Sequence, residues 1–213
     1  MSALARVEER IRETWKATLP RHGTILPRFV AAVEKVGGVI LEAREPGAVG
    51  VSIAALAKAR GVSLCQTADP DLTAALGLET AMAEAGIACA TGPTPEAIAH
   101  AGIGITRAAI GVAETGSILV HLDDVDGRLL SMLPEIHVAI LHQDALVETV
   151  EDGLLVTRYL ILQSHARGRP SYLSWVTGPS RTADIERVLT IGVHGPRELH
   201  VFLLPPTGKG ILP

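Results

Sequence analysis

The sequence has few cysteines, and that shortage excludes several kinds of site. Only Cys65 and Cys89 occur among 213 residues, and they do not form a C-x-x-C pair. An iron–sulfur cluster or a structural zinc site needs several cysteines at short spacing, so we expect no cofactor and no metal in this chain. Isolated cysteines inside apolar segments are typical of small buried side chains in a reducing compartment.

Aromatic residues and excess basic charge are also scarce. Aromatic residues make up 3% of the chain although 47% of it is hydrophobic, so aliphatic side chains must fill the core. A core of this kind is common where parallel strands are covered by helices on both faces. The 23 acidic and 19 basic residues give a net charge of -4, whereas nucleic-acid binding normally needs a basic surface. The overall charge therefore does not indicate a nucleic-acid-binding protein.

Long apolar runs are absent as well. No stretch approaches the run of about twenty apolar residues that a membrane-spanning helix requires, so we predict no span. The first 18 residues carry charges at short intervals and contain no apolar core of signal-peptide length. We therefore expect the protein to be cytoplasmic.

Helical and strand-like segments alternate along the chain. Apolar residues at three- and four-residue steps, Leu4, Val7, Ile11 and Trp15, predict an amphipathic first helix that covers the domain or meets a partner. A second helix follows before the first strand. The remaining alternation predicts one α/β domain with a largely parallel sheet, whose ligand site lies beyond the carboxyl ends of the strands. We assign residues 1–36 to N-terminal helices that pack on the domain, 37–206 to the domain, and 207–213 to a mobile tail.

The central segment from Gly102 to Asp126 contains two apolar runs joined by a polar turn, with the sequence A-E-T-G-S at residues 113–117. Ile103 and Ile105 are predicted to end one buried strand, and Ser117 to Leu122 to form another. Glu114 in this turn is a candidate nucleophile or general base. The alternative is a turn carboxylate that accepts hydrogen bonds from nearby amides. Three neighbours are candidate ligands of an anionic group, although hydroxyl-rich turns are common without one: Thr115, Gly116 and Ser117.

Further along, Gly127 to Met132 predicts a short helix, Ile136 to Leu141 a buried strand, and Ala145 to Ile161 a longer helix. Two more strands are predicted from Tyr172 to Val176 and from Leu199 to Leu204.

The second polar segment, T-G-P-S-R-T-A-D-I-E, covers residues 177–186. Ser180 or Thr182 is a candidate cap of a helix, with Asp184 as a first-turn acid. That helix start, together with Gly178 and Arg181, predicts a site for phosphate or carboxylate. An ordinary capped helix is the alternative interpretation.

A glycine-framed turn, G-V-H-G-P, follows at residues 192–196. His194 and Gly195 are candidate ligand-binding residues of this turn, because a histidine framed by glycines exposes a donor. A structural, hydrogen-bonded histidine is the other interpretation.

These segments resemble the LUD-domain family. The resemblance is carried by four motifs in order, which are I-T-R-A-A-I-G-V-A-E-T-G-S (105–117), L-P-E-I-H-V-A-I-L (133–141), T-G-P-S-R-T-A-D-I-E (177–186) and G-V-H-G-P (192–196). It implies a three-layer α/β/α fold like that of the ribose-phosphate isomerase, glucosamine-phosphate deaminase and CoA-transferase group. It also implies a role in oxidising L-lactate to pyruvate beside two partner proteins that carry the iron–sulfur clusters.

Three hypotheses follow for the function. The first is an accessory subunit of an L-lactate oxidation system, with a small anionic ligand between the A-E-T-G-S turn and the Thr182 helix. The alternative is a stand-alone enzyme of the isomerase or CoA-transferase type, in which Glu114 acts on an acyl, sugar-phosphate or folate-like substrate. The third is an interaction module whose pocket is vestigial and whose first helix binds the partner.

Overall fold

The computed structural model describes residues 2–18, 21–92, 94–122, 127–183 and 189–208. The α-helices of this part are α1 (Ala3–Thr18), α2 (His22–Lys35), α3 (Pro46–Ala59), α4 (Pro70–Ala75), α5 (Leu78–Ala85), α6 (Pro95–His100) and α7 (Val150–Ala166). The strands are β1 (Val39–Glu42), β2 (Leu64–Thr67), β3 (Ala88–Thr91), β4 (Ile103–Val112), β5 (Ser117–Leu122), β6 (Ile136–His142), β7 (Leu146–Val147), β8 (Tyr172–Val176), β9 (Arg181–Ala183), β10 (Leu189–Ile191) and β11 (Glu198–Leu204). A short 3₁₀ helix covers Gly127–Ser131.

Six strands form a parallel sheet in the order β1-β11-β6-β4-β2-β3. The central strand β6, with the sequence I-H-V-A-I-L-H, is buried at every position before its last residue. Continuous aliphatic strands of this kind require cover on both faces, and helices supply it. The predicted α/β fold with a largely parallel sheet is confirmed.

The first face of the parallel sheet packs against α3, α4 and α5. Its core joins helix residues such as Ile53 and Met82 to strand residues such as Ile105, Val138 and Phe202. These side chains are at most 2% exposed. The alternate residues of the same strands therefore point to the second face.

The second face packs against α2, whose Ile25, Phe29 and Val33 are fully buried. Beyond α2 lies an antiparallel extension of the sheet, because β4 continues past the parallel part and pairs with β5, which pairs with β8. A register shift between Ala108 and Ile110 marks the point where β4 passes from one part to the other. Helix α2 thus lies between two sheet surfaces.

Helices α1 and α7 cover the outer side of this extension. Val7 and Ile11 of α1 are buried against Val156 and Tyr159 of α7, which confirms the predicted amphipathic helix. The apolar side chains of α1 and α7 thus form one core cluster, which also includes Leu119 of β5.

Two element predictions were wrong in extent. The segment predicted as one helix from Ala145 to Ile161 is a short strand, β7, followed by α7. Thr149 and Asp152 form a reciprocal capping box there, which fixes the start of α7 at Val150. Residues 103–105 are also only the start of β4, which runs ten residues to Val112.

The helix start predicted at Ser180 or Thr182 is wrong as well. Arg181, Thr182 and Ala183 form β9, which pairs antiparallel with β10. Asp184 lies outside the described residues, so its predicted place in a first helical turn stays a prediction.

The end of the described chain is attached to the domain. Thr207 donates a hydrogen bond of 2.8 Å to a carboxylate oxygen of Asp144, and the Gly208 amide donates one of 2.9 Å to the same oxygen. Among the described residues no helix is long and apolar enough to cross a membrane.

Candidate functional site

The A-E-T-G-S turn connects β4 to β5 and lies against α2. Gly116 has φ +69°, and a Cβ added there would lie 2.5 Å from the carbonyl carbon of Ala32. The turn therefore needs glycine both for its backbone conformation and for its close contact with the helix backbone. The requirement for glycine at position 116 is therefore explained by the fold, independently of any ligand.

Hydroxyl groups connect this turn to the second polar segment. Thr115 Oγ1 and Ser117 Oγ are 2.7 Å apart, and Ser117 Oγ lies 2.7 Å from Thr177 Oγ1. The chain of three hydroxyls links residues that are far apart in sequence. The two segments thus meet in space, through Thr177 rather than through the residues that follow it.

The second segment also packs on the carboxyl end of α2. A Cβ at Gly178, which has φ +74°, would collide with the carbonyl oxygen of Val36. Arg181 donates a hydrogen bond of 2.5 Å to that same carbonyl. Because a guanidinium at the carboxyl end of a helix satisfies a terminal carbonyl, Arg181 has a local structural partner.

Glu114 lies elsewhere, at the amino end of α7. Its side chain is exposed, and its Oε2 accepts a hydrogen bond of 2.9 Å from the Val150 amide. The neighbouring Glu148 forms ion pairs with Arg21 at 2.6 Å and Arg28 at 2.7 Å. The contacts of Glu114 match the alternative interpretation of a carboxylate that binds a nearby backbone amide.

A cleft of about 490 Å³ lies at the amino ends of β6 and β11. The residues that line it come from the segment before β6 and from the G-V-H-G-P turn: Met132, Leu133, Glu135, Gly192, Val193, His194, Gly195 and Arg197. It lies at the opposite edge of the sheet from the carboxyl ends, where we predicted the ligand site. We name it the amino-end cleft.

Backbone hydrogen bonds hold this cleft in shape. The Arg197 amide donates to the Glu135 carbonyl at 2.7 Å, and the Ser180 amide donates to the Pro196 carbonyl at 2.8 Å. The Gly192 amide in turn donates to the Ser180 carbonyl at 2.9 Å. Ser180 is therefore joined to the turn that carries the candidate His194.

The aliphatic part of the Arg197 side chain packs over Gly192. Gly192 has φ +79°, and a Cβ there would collide with Cγ of Arg197. The absence of a side chain lets the arginine lie along the turn. Glu135 lies inside the L-P-E-I-H-V-A-I-L motif and Arg197 directly follows the G-V-H-G-P motif, so their positions in sequence are the signal that could have identified them.

The predicted site residues thus separate into groups. Thr115 bonds Ser117, Ser117 bonds Thr177, and Gly116 contacts α2. His194 and Gly195 line the amino-end cleft, and Ser180 bonds the backbone of the turn that carries them. Neither group includes Glu114. The part of the chain that the structure describes has no group of three or more histidine, cysteine, aspartate or glutamate side chains that could hold a metal ion.

The two cysteines are cross-strand neighbours on β2 and β3, and both are free thiols. Burial raises the pKa of Cys65 to about 12, with a further contribution from Cys89. The pKa of Cys89 is raised too, chiefly by burial and also by Glu79. Both groups stay protonated at neutral pH, which is typical of structural rather than nucleophilic cysteines.

The fold and the motif contacts define an α/β domain whose polar segments surround the end of one buried helix. The LUD-domain model matches residues 26–204, so the chain belongs to the LUD-domain family. A crystal structure of a DUF162 family protein from Deinococcus radiodurans shares the fold, with a TM-score of 0.57 and 23% identity over 86% of this chain and 98% of that one.

Curated relatives match part of the chain. Lactate utilization protein C of Deinococcus radiodurans is 39% identical over 101 residues, which are 47% of this chain and 45% of the relative. The protein of that name in Bacillus subtilis is 37% identical over 99 residues, or 46% of this chain and 40% of the relative. The chain thus spans a little under half the length of the curated relatives it matches.

Proposed function

We propose that this chain is an accessory subunit of a cytoplasmic L-lactate oxidation system, in which L-lactate is converted to pyruvate. The observation that carries the proposal is the similarity to two relatives named lactate utilization protein C. Membership of the LUD-domain family over residues 26–204 supports it.

The proposed ligand is a small 2-hydroxy or 2-oxo carboxylate in the amino-end cleft. Arg197 can bind a carboxylate with two parallel N–H groups, which is the geometry that arginine favours. His194 and Glu135 line the same cleft. A ring N–H of His194 can donate to the neighbouring hydroxyl or oxo oxygen, and the Glu135 carboxylate can accept from the hydroxyl of a 2-hydroxy acid. The place first considered, between the A-E-T-G-S turn and a Thr182 helix, loses support because Arg181 bonds Val36 and Thr182 is in a strand.

The proposed partners are the iron–sulfur proteins of the same system. Oxidation of L-lactate to pyruvate releases two electrons and two protons, and an acceptor must take them. Two cysteines in the whole sequence cannot supply the four thiolates that usually hold a cluster. The clusters therefore belong to the partners in this proposal, and this chain contributes binding or assembly.

The alternative of a stand-alone isomerase or CoA-transferase-like enzyme depends on Glu114. Its carboxylate accepts the Val150 amide at the start of a helix and lies away from the amino-end cleft residues. This contact favours neither a nucleophile nor a base, so it lends the stand-alone enzyme no support.

Growth and co-purification test the proposal. In a deletion strain, growth on L-lactate should fail, and the tagged full chain should restore it and co-purify with cluster-bearing partners. Arg197→Gln should keep the partners but lose growth and L-lactate binding in calorimetry. Arg10→Gln, which removes an exposed arginine of α1, is the matched control and should retain all three properties. Normal growth of the deletion strain would overturn the proposal.

A further inference from the structure

A row of polar and small residues, Gln66, Gly104 and His137, crosses the second face of the parallel sheet. Gln66 of β2 is in register with Gly104 of β4, and Gly104 is in register with His137 of β6. Their sequence neighbours on each strand belong to the core of the first face, so these three positions share the second face. Gln66 and His137 are therefore two strands apart, with no side chain between them.

Both polar side chains of this row are buried and have unpartnered atoms. Gln66 is 1% exposed, and neither its Oε1 nor its Nε2 has a hydrogen-bond partner among the described residues. His137 is fully buried, and its Nδ1 has none in the same part of the chain, while its Nε2 lies 2.8 Å from Oγ1 of Thr106. Buried amides are nearly always hydrogen-bonded, so a glutamine with both atoms unpartnered is an exception with a specific cause.

The 3₁₀ helix Gly127–Ser131 covers this row. A Cβ at Gly104 would collide with the carbonyl oxygen of Leu130 and would lie 2.9 Å from Cγ of Pro134. The segment stabilises itself locally, because the Met132 and Leu133 amides both donate to the Leu129 carbonyl at 2.9 Å. It forms the cover of the row, and Gly104 gives it room against the sheet.

The chemistry of the row selects the kind of molecule that fits it. A glutamine amide presents an acceptor and a donor side by side, and its complement is a second amide edge with a donor beside an acceptor. Burial lowers the pKa of His137 to about 4, so the ring is neutral at pH 7. An anion placed among neutral buried groups would lack a compensating charge. Lactate and pyruvate are thus poor candidates for this place.

We propose that the row of Gln66, Gly104 and His137 is a second binding site, for an uncharged molecule with a ring-amide edge, and that the Gly127–Ser131 helix moves to admit it. Gln66 binds the amide edge through Oε1 and Nε2, and His137 Nδ1 binds a further polar atom. Gly104 is the flat floor on which the ring lies. The row consists of other residues than those that line the amino-end cleft, and this proposal does not rest on the role in lactate oxidation.

Thermal unfolding of the full chain with uracil and 2-pyridone tests this site. Each carries an N–H beside a carbonyl, whereas 1,3-dimethyluracil keeps the ring and blocks the N–H groups. A probe at about a hundred times its Kd should raise the Tm by a few degrees. The shift should disappear in Gln66→Met and persist in Gln163→Met, which removes an amide bonded to Tyr159 outside the row.

Gln66→Asn keeps the amide but shortens its reach, and it replaces Gln66→Met if that variant does not fold. It should weaken binding by at least about tenfold, or about 1.4 kcal/mol. The proposal is overturned if neither probe shifts the wild type, if dimethyluracil shifts it equally, if the shift survives in Gln66→Met, or if it is undiminished in Gln66→Asn. If neither probe shifts the wild type and Gln66→Met has a higher free energy of unfolding than the wild type, the buried amide only destabilises the folded protein.

Discussion

Ser117 and Thr177 are separated by 60 positions in sequence, and their hydroxyl oxygens lie 2.7 Å apart. This hydrogen bond joins the start of β5 to the residue that follows β8. Because β5 and β8 are paired strands, the bond closes the end of their ladder where both meet α2. The two polar motifs are thus held together by their serine and threonine hydroxyls.

Removing these hydroxyls should show energetic coupling. Ser117 is buried, so Ser117→Ala should lower the free energy of unfolding by about 1–2 kcal/mol, and Thr177→Val by about 0.5–1 kcal/mol. The double variant should lose less than the sum, with a coupling of about 0.5–1 kcal/mol, because both changes remove the same bond. Urea unfolding measures all three values.

Ser52→Ala is the control for this cycle, since Ser52 donates only to the carbonyl of Ala48 one turn earlier in α3. Its effect should be small and should add to that of Thr177→Val. Strict additivity of the Ser117 and Thr177 changes would contradict the coupling.

Gly116 should be intolerant of a methyl group. Gly116→Ala combines a positive φ with a contact against the α2 backbone, so we expect a loss of about 2–4 kcal/mol. Gly61→Ala is the matched control, because Gly61 has φ +66° and open space around its Cα. It should lose only about 1–2 kcal/mol, for the backbone conformation alone. Equal losses in the two variants would show that the contact with α2 contributes nothing.

The parallel sheet could be predicted from sequence because its strands are short aliphatic runs between glycines and helices. The β6 segment, I-H-V-A-I-L-H, has that pattern, and its position and type are confirmed. The pattern could not show that β4 would continue to Val112, because its second half pairs with β5 and β7 instead of ending at the sheet edge. That difference depends on tertiary pairing.

The site was harder to predict because the same residue types serve capping and binding. Ser180 followed by Arg181 and Thr182 is typical of a helix start, yet β9 forms there because β10 supplies a partner strand. Gly116 and Gly178 are candidates for ligand contact, and both give room to the backbone at the end of α2. A single sequence contains no signal for which helix a glycine approaches.

Glu114 should contribute to stability through its bond to the first amide of α7. Glu114→Gln keeps an acceptor but loses the charge at the helix amino end, so we expect a loss of about 0.3–0.5 kcal/mol. Glu114→Ala also loses the bond and should cost about 1 kcal/mol. Both variants should restore growth on L-lactate in the deletion strain. A folded Glu114→Gln protein without function would instead favour a catalytic carboxylate.

His137 should make the protein less stable in mild acid. Its pKa is lowered by burial to about 4, whereas an unfolded histidine has the ordinary value of 6.5. Between these values the unfolded chain binds a proton that the folded protein does not. The stability is therefore fully present above pH 6.5 and is lost progressively as the pH falls toward 4, by about 2 kcal/mol between pH 7 and pH 5.

The variant His137→Gln removes this titration and can keep a hydrogen bond to Thr106, because its side chain is an amide of similar reach. Its free energy of unfolding should fall less between pH 7 and pH 5 than that of the wild type, whatever its absolute value at pH 7. Urea unfolding at several pH values measures both slopes. Parallel slopes would mean that His137 gains a proton in the folded protein as easily as in the unfolded chain, which would require water or another acceptor at Nδ1.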